Sequence, residues 1–182
     1  MALKATIYKA ELQVADLERH YYQDHNLTLA RHPSETDERM MVRLLAFAHN
    51  AHEGLEFGKG LSDAEEPDLW QRDLTGAVER WIEAGLPDER RILKACGRAD
   101  QVVVYAYGGR AAELWWNQVG PKLARAANLT VFSLPWAATQ DLSKLVRRTM
   151  RLQATIQEGQ VLVTSEDGSV AVDLDVLRRP AQ

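Results

Sequence analysis

Asp68, Glu83 and Lys94 are the residues whose types and order suggest chemistry: two carboxylates and then an ammonium group, all inside the segment 67–94 of a 182-residue chain. If Asp68 opens one strand and Glu83 closes its neighbour, the two carboxylates can converge on one hard cation. Mg²⁺ takes one or two carboxylates and keeps waters on its other positions, and Mn²⁺ accepts the same oxygen ligands. Such a cation would polarise a phosphate oxygen and lower the pKa of an attacking water, with Lys94 steadying the developing charge. The same acids equally suit solvated strand ends or cap partners, where charged residues are common. Asp73 and Glu79 lie in the same segment, and alternation puts Glu79, Trp81 and Glu83 on one strand face. Either of the first two acids could enlarge or replace the pair, or serve as surface charge.

Other chemistries find less support. The chain has no Gly-rich loop ending in Gly-Lys-Ser/Thr, no His-Glu-x-x-His, no Gly-x-Ser-x-Gly elbow and no paired cysteines. No organic cofactor is expected. His49 and His52 are spaced to share a metal but lack an evident third ligand. Trp115 and Trp116 are adjacent, so in a helix they face different directions and core packing accounts for at least one of them. Cys96 follows a helix rich in Arg and Lys, yet has no His or second Cys nearby to make it a nucleophile.

The elements that must position the acids follow from apolar periodicity and from turn residues. Residues 4–14 alternate apolar and polar side chains and residues 26–30 resume the pattern, which predicts a β-hairpin. Ser34 is a candidate cap for a helix running to about Glu53, with Glu35, Asp37 and Glu38 in its first turn and an apolar stripe that packs on a sheet. Strands are expected over residues 55–59 and 76–85, separated by an acidic loop at residues 60–68. A helix over residues 88–95 should end with Gly97 as a left-handed cap, followed by a buried strand at 101–107, a helix at 111–118 and a strand at 129–134. That βαβ alternation favours parallel pairing with right-handed crossovers. A helix at 140–148 and three strands at 152–156, 161–164 and 170–174 complete a C-terminal meander.

The class is therefore mixed α/β, with a mixed sheet and flanking helices, and length favours one domain over residues 1–182. With 46% hydrophobic and 26% charged residues spread along the chain, a packed core is expected. The first ten residues lack a signal peptide's apolar stretch, and no apolar run is long enough for a membrane span. No membrane partner is expected, and the lone Cys96 fits a reducing, cytoplasmic setting. A net charge of −4 means that any nucleic-acid contact needs a local basic patch, for which Arg90 and Arg91 with Lys94, or Arg147, Arg148 and Arg151, are candidates; both groups also suit solvated helix faces.

Pro67-Asp68 followed by Glu83-Ala84 resembles the PD-(D/E)XK nuclease core, also called restriction-endonuclease-like. The third element departs from that pattern, because Gly85 stands where the lysine belongs. The resemblance implies Asp68 and Glu83 as metal ligands, Lys94 as a migrated lysine and Glu38 as an auxiliary acid on the first core helix. A wider resemblance covers almost the whole chain. Met1-Ala2-Leu3-Lys4-Ala5-Thr6-Ile7-Tyr8-Lys9-Ala10, Leu29-Ala30-Arg31-His32-Pro33-Ser34-Glu35-Thr36, Trp81-Ile82-Glu83, Gly85-Leu86-Pro87-Asp88-Glu89-Arg90-Arg91 and Leu152-Gln153-Ala154-Thr155-Ile156-Gln157 are similar to the bacterial YaeQ family. That family implies a variant of the nuclease-like fold, here joined to the N-terminal hairpin and C-terminal meander read above, and a bacterial cytosolic home, without implying an activity. Two functions fit these observations: a Mg²⁺- or Mn²⁺-dependent phosphodiesterase acting on nucleic acid, or a non-catalytic module that has kept the fold to bind nucleic acid or a protein.

Overall fold

Alternation of apolar and polar side chains builds the first strand. In the computed structural model, which describes residues 4–182, β1 (Thr6–Asp16) buries Tyr8, Ala10, Leu12 and Val14 and turns Ile7, Lys9, Glu11 and Gln13 to solvent. Met1, Ala2 and Leu3 lie outside the described residues. β2 (Tyr21–Arg31) returns antiparallel along the whole of β1, from Thr6 opposite Arg31 to Asp16 opposite Tyr21. It begins five residues before the predicted alternation. Residues 22–24 are exposed, so they carry no apolar period and are held by pairing with β1. The Asp16 carboxylate organises the turn, accepting the Glu18 and Arg19 N–H groups at 3.0 Å each.

The chain divides into two compact units, Met1–Ala51 with Ala137–Leu174, and His52–Trp136 with Asp175–Gln182. The first holds a five-stranded mixed sheet in the order β10-β9-β8-β1-β2. Its later strands are β8 (Thr149–Gln157), β9 (Gln160–Ser165) and β10 (Gly168–Asp173), and β8 runs parallel to β1. The expected hairpin and meander are thus one sheet, joined side by side. Helix α1 (Asp37–His49) packs against β1, β8 and β9 through buried residues such as Met40, Met41, Leu44 and Leu45. Its cap is Thr36, which accepts the Arg39 N–H at 3.1 Å; Ser34 instead pairs with His32 at 2.6 Å. The helix stops at His49, short of the expected end, with the buried Asn50 donating its side-chain N–H to Ala46 O.

The second unit is built on a six-stranded mixed sheet in the order β11-β7-β6-β5-β4-β3. Its members are β3 (Leu55–Phe57), β4 (Leu69–Arg72), β5 (Val78–Ala84), β6 (Ala99–Ala106), β7 (Leu129–Ser133) and β11 (Asp175–Arg178). The βαβ expectation holds: β5, β6 and β7 pair in parallel, and helices α2 (Glu89–Arg98) and α3 (Arg110–Val119) make the two crossovers. A core of Trp81, Ile92, Val102, Val104, Trp115 and Leu123 fills the space between sheet and helices. Trp115 is nearly buried and donates its ring N–H to Pro87 O at 2.7 Å, so it packs in the core. Strand β11 was not anticipated; it pairs antiparallel with β7, so the C-terminal meander does not end the sheet structure.

Two further helices differ from the sequence reading in their boundaries. Helix α4 (Trp136–Ser143) starts directly after Pro135 and tightens into i→i+3 turns at Lys144 and Leu145, so it neither begins at residue 140 nor reaches 148. Gly97 is an ordinary helical residue of α2, because the helix runs on to Arg98 and passes without a loop into β6, with the Ala99 N–H reaching Ala95 O. An added Cβ at Gly97 would meet nothing within 4 Å. Gly97→Ala should therefore stabilise the fold by about 0.5–1 kcal/mol through helix propensity, measured by denaturant unfolding. A left-handed cap at this position would give destabilisation instead.

Candidate functional site

The register of β4 against β5 brings the two predicted carboxylates together. Leu69 pairs with Ile82, so the preceding Asp68 falls opposite Glu83, and both are buried, at 1% and 4% exposure. Asp68 Oδ2 accepts the Ala84 N–H at 2.8 Å. Gly58 lets the chain close over this corner: its N–H donates to Asp68 O at 2.9 Å, and a Cβ there would lie 2.2 Å from Pro67 O. Gly85, standing where the nuclease pattern has lysine, adopts a φ of +113° as the chain leaves β5. A lysine is strained in that conformation, so backbone geometry as well as sequence keeps one out.

Glu83 carries the strongest bonds of the site on one oxygen. Trp81 Nε1 donates to Glu83 Oε1 at 2.8 Å and Arg91 Nε donates to the same atom at 2.7 Å. The alternation that puts residues 81 and 83 on one strand face signalled the first contact; nothing local in sequence signals the second, which spans eight residues and a turn. Arg91 is placed by α2, whose N-cap is Asp88: its carboxylate accepts the Arg91 N–H at 2.8 Å. Burial first, and the charge of Asp68 second, push the Glu83 carboxyl up to about 7, outweighing the opposing pull of Arg91 and Trp81.

The remaining candidates are placed as follows. Lys94 Nζ binds the carboxylate of Glu65, at 3.0 and 2.8 Å, so its ammonium is committed to the acidic loop. Arg90 is exposed on α2, whereas Arg91, read from sequence as a nucleic-acid contact, is the cation on Glu83. Glu38 belongs to the first unit, where Gln140 donates to its carboxylate and burial raises its pKa above the usual value. Glu79 accepts from Gln71 Nε2 at 2.7 Å, and Asp73 organises the β4–β5 turn by accepting from Thr75 and Ala77. Cys96 is half-buried, and burial pushes its thiol up, away from nucleophilic use. Among the described residues, no group of three or more His, Cys, Asp or Glu side chains is arranged to hold a metal ion, and no helix is long and apolar enough to cross a membrane.

Fold and site together define a class: α/β proteins of two mixed-sheet units in which a buried Asp–Glu pair sits at a hairpin joined to a parallel crossover. The family model described as YaeQ protein matches residues 1–174, and the chain belongs to that family. It is 50% identical to YaeQ of Salmonella typhi and 48% identical to YaeQ of Escherichia coli K12, over 181 residues and the full length of each. The crystal structure of YaeQ from Xanthomonas axonopodis pv. citri superposes with a TM-score of 0.93 at 50% identity, covering 98% of this chain and 99% of that one. YaeQ from Pseudomonas syringae superposes with the same TM-score at 39% identity, covering 96% and 97%.

Unfolded, Glu83 titrates near its ordinary 4.5; folded, near 7, so the folded state holds the proton more tightly. The stability this gives is complete below the unfolded value and is lost as pH rises through the folded one. Glu83→Gln cannot ionise. The stability of the native chain relative to Glu83→Gln should therefore fall by about 2–3 kcal/mol from acid to neutral pH, read from urea titrations across that range. A difference that is flat or rises with pH would contradict the buried-acid assignment.

Proposed function

We propose that the chain is a divalent-cation-dependent phosphodiesterase of nucleic acid on a variant of the PD-(D/E)XK core, with Asp68 and Glu83 as the cation's ligands. The observation that carries this reading is two buried carboxylates that face each other. Glu83 lies opposite Asp68, and burial with that facing charge favours its protonated form although Arg91 bonds it. A proton or a cation relieves the repulsion between them. Two carboxylates match the donor set of Mg²⁺ or Mn²⁺, which fill their other positions with water and phosphate oxygens. Once bound, the cation would polarise a phosphate and make a bound water acidic.

The chain's own residues supply the rest. Trp81 and Arg91 both bond Oε1 of Glu83, which orients the carboxylate and leaves Oε2 to serve a cation. Arg91 stands in for the lysine absent at position 85: it is permanently charged and can exchange Glu83 for a phosphate oxygen through its planar fork. The reading uses residues of the second unit alone and assigns no part to Glu38. A cytoplasmic setting belongs to the same reading, supported by the lone cysteine.

One observation favours the second reading, a non-catalytic module that binds nucleic acid or protein. Arg91 already neutralises part of the pair, and Lys94 is held by Glu65. Two measurements decide. Mn²⁺ titration followed by electron paramagnetic resonance should show a site weakened about tenfold or more in Asp68→Asn and in Glu83→Gln. Incubation of single- and double-stranded DNA and RNA with Mg²⁺ or Mn²⁺ should give cleavage that both substitutions abolish and that chelation stops. Cation binding without cleavage selects the module; residual cleavage equal in all three proteins is contamination and removes the enzyme reading.

A further inference from the structure

Arg91, Lys94 and Arg98 are three and four residues apart on α2, so they form one stripe along one face of the helix. All three reach the same short piece of chain, Ala64-Glu65-Glu66. Arg91 Nη1 donates to Ala64 O at 2.7 Å and Nη2 to Glu66 O at 2.9 Å. Lys94 Nζ donates to both oxygens of the Glu65 carboxylate, and Arg98 Nη1 donates to Glu65 O at 3.2 Å. The neighbouring acids are turned elsewhere: Asp63 accepts the Glu65 N–H and Glu66 accepts the Lys59 N–H, each at 2.8 Å. A row of oxygens from an acidic loop therefore lies on a row of cations.

We propose that residues 64–66 are an intramolecular strap occupying a binding stripe for a phosphodiester chain, and that a nucleic-acid strand displaces the strap to bind Arg91, Lys94 and Arg98. The choice of ligand rests on the reading above; the strap and the stripe do not. From Arg91 to Arg98 the helix rises roughly 10 Å, a length over which one strand of DNA offers about three phosphates. The strap sets one carboxylate against Lys94 and Arg98 and gives Arg91, already bonded to Glu83, only backbone carbonyls, whereas a phosphodiester chain brings a charge at every step and gains by counterion release. Lys94 and Glu65 are exposed at 57% and 67%, and such a pair contributes little and is weakened by salt, so this end of the strap is easily released. Arg91 links the two functions, since its Nε holds Glu83 while its other donors hold the strap. A phosphate that replaces the strap at Arg91 arrives beside the carboxylate pair.

The test is fluorescence anisotropy of a labelled short single-stranded DNA with the full chain at low salt. Glu65→Gln should bind about fivefold tighter than the native chain, the ceiling for one exposed ion pair. Glu113→Gln removes the same charge from an exposed position on α3 and should change little. Lys94→Gln and Arg98→Gln should weaken binding and flatten its salt dependence. Hydrogen exchange at residues 60–66 should quicken in Glu65→Gln and, in the native chain, on adding the oligonucleotide. Equal tightening in Glu65→Gln and Glu113→Gln, no binding by either the native chain or Glu65→Gln, or a preference for poly-glutamate over DNA would each overturn the strap. Mn²⁺ binding that depends on Asp68 and Glu83 and is unaltered in Glu65→Gln would then leave the cation reading standing, so the two fail separately.

Discussion

The second unit turns on the bond from the Ala84 N–H to Asp68. The next amide, Gly85 N–H, points across the sheet to Tyr105 O of β6, so Ala84 faces the other way, toward the side on which β4 runs. There β4 has already begun its approach: Asp68 precedes its first paired residue, and Pro67 has its carbonyl on Gly60. A buried amide with no acceptor is costly, and the Asp68 side chain supplies one for Ala84. One carboxylate thereby ends the antiparallel hairpin and sets the position of the last residues of β5. Asp68 is structural before it is anything else, and that role brings it opposite Glu83.

Once Asp68 is fixed there, the charge of its neighbour follows. Glu83 could be stabilised as an anion by Arg91 and Trp81, and both are at hydrogen-bond distance, yet burial and the facing carboxylate prevail. The outcome decides what the corner can do. Two carboxylates that face each other in buried surroundings repel strongly, because those surroundings screen charge poorly, and Glu83 answers by holding its proton. Gly85 brings no cation to this corner, and its positive φ makes that a property of the backbone.

Sequence carried much of this arrangement and missed it in predictable places. Apolar alternation located β1, β8, β9 and β10, and the apolar runs at β6 and β7 announced parallel strands. What failed were features with no local period. Residues 22–24 of β2 are exposed on both faces, β11 is four residues long and is held by β7, and Gly97 reads as a cap only if a loop follows it, which none does. At the site, Pro67-Asp68 and Glu83 were legible because residue type and strand-end position are local properties. The partner of Glu83 was not: Lys94 and Arg91 lie one turn apart on the same stripe of α2, so the choice between them falls to where and in which direction the helix is packed on the sheet.

That direction also explains why the acidic loop and the basic helix belong together, although composition presents them as separate solvated segments. The face of α2 that carries Ile92 and Ala95 is pinned in the core, so the stripe beginning at Arg91 has one permitted orientation. Arg98 lies over the ring of Trp81, its guanidinium 5.1 Å from the ring centre, and the same Trp81 donates to Glu83. Arg91 joins Glu83 to the loop from the other end of the stripe. The carboxylate pair and the loop are therefore two ends of one bonded network through Trp81, Arg91 and Arg98. Its inner bonds are short and shielded and its outer bond, Lys94 to Glu65, is exposed; a network graded in this way yields first at the loop, and any anion that arrives there meets Arg91 before it meets Glu83.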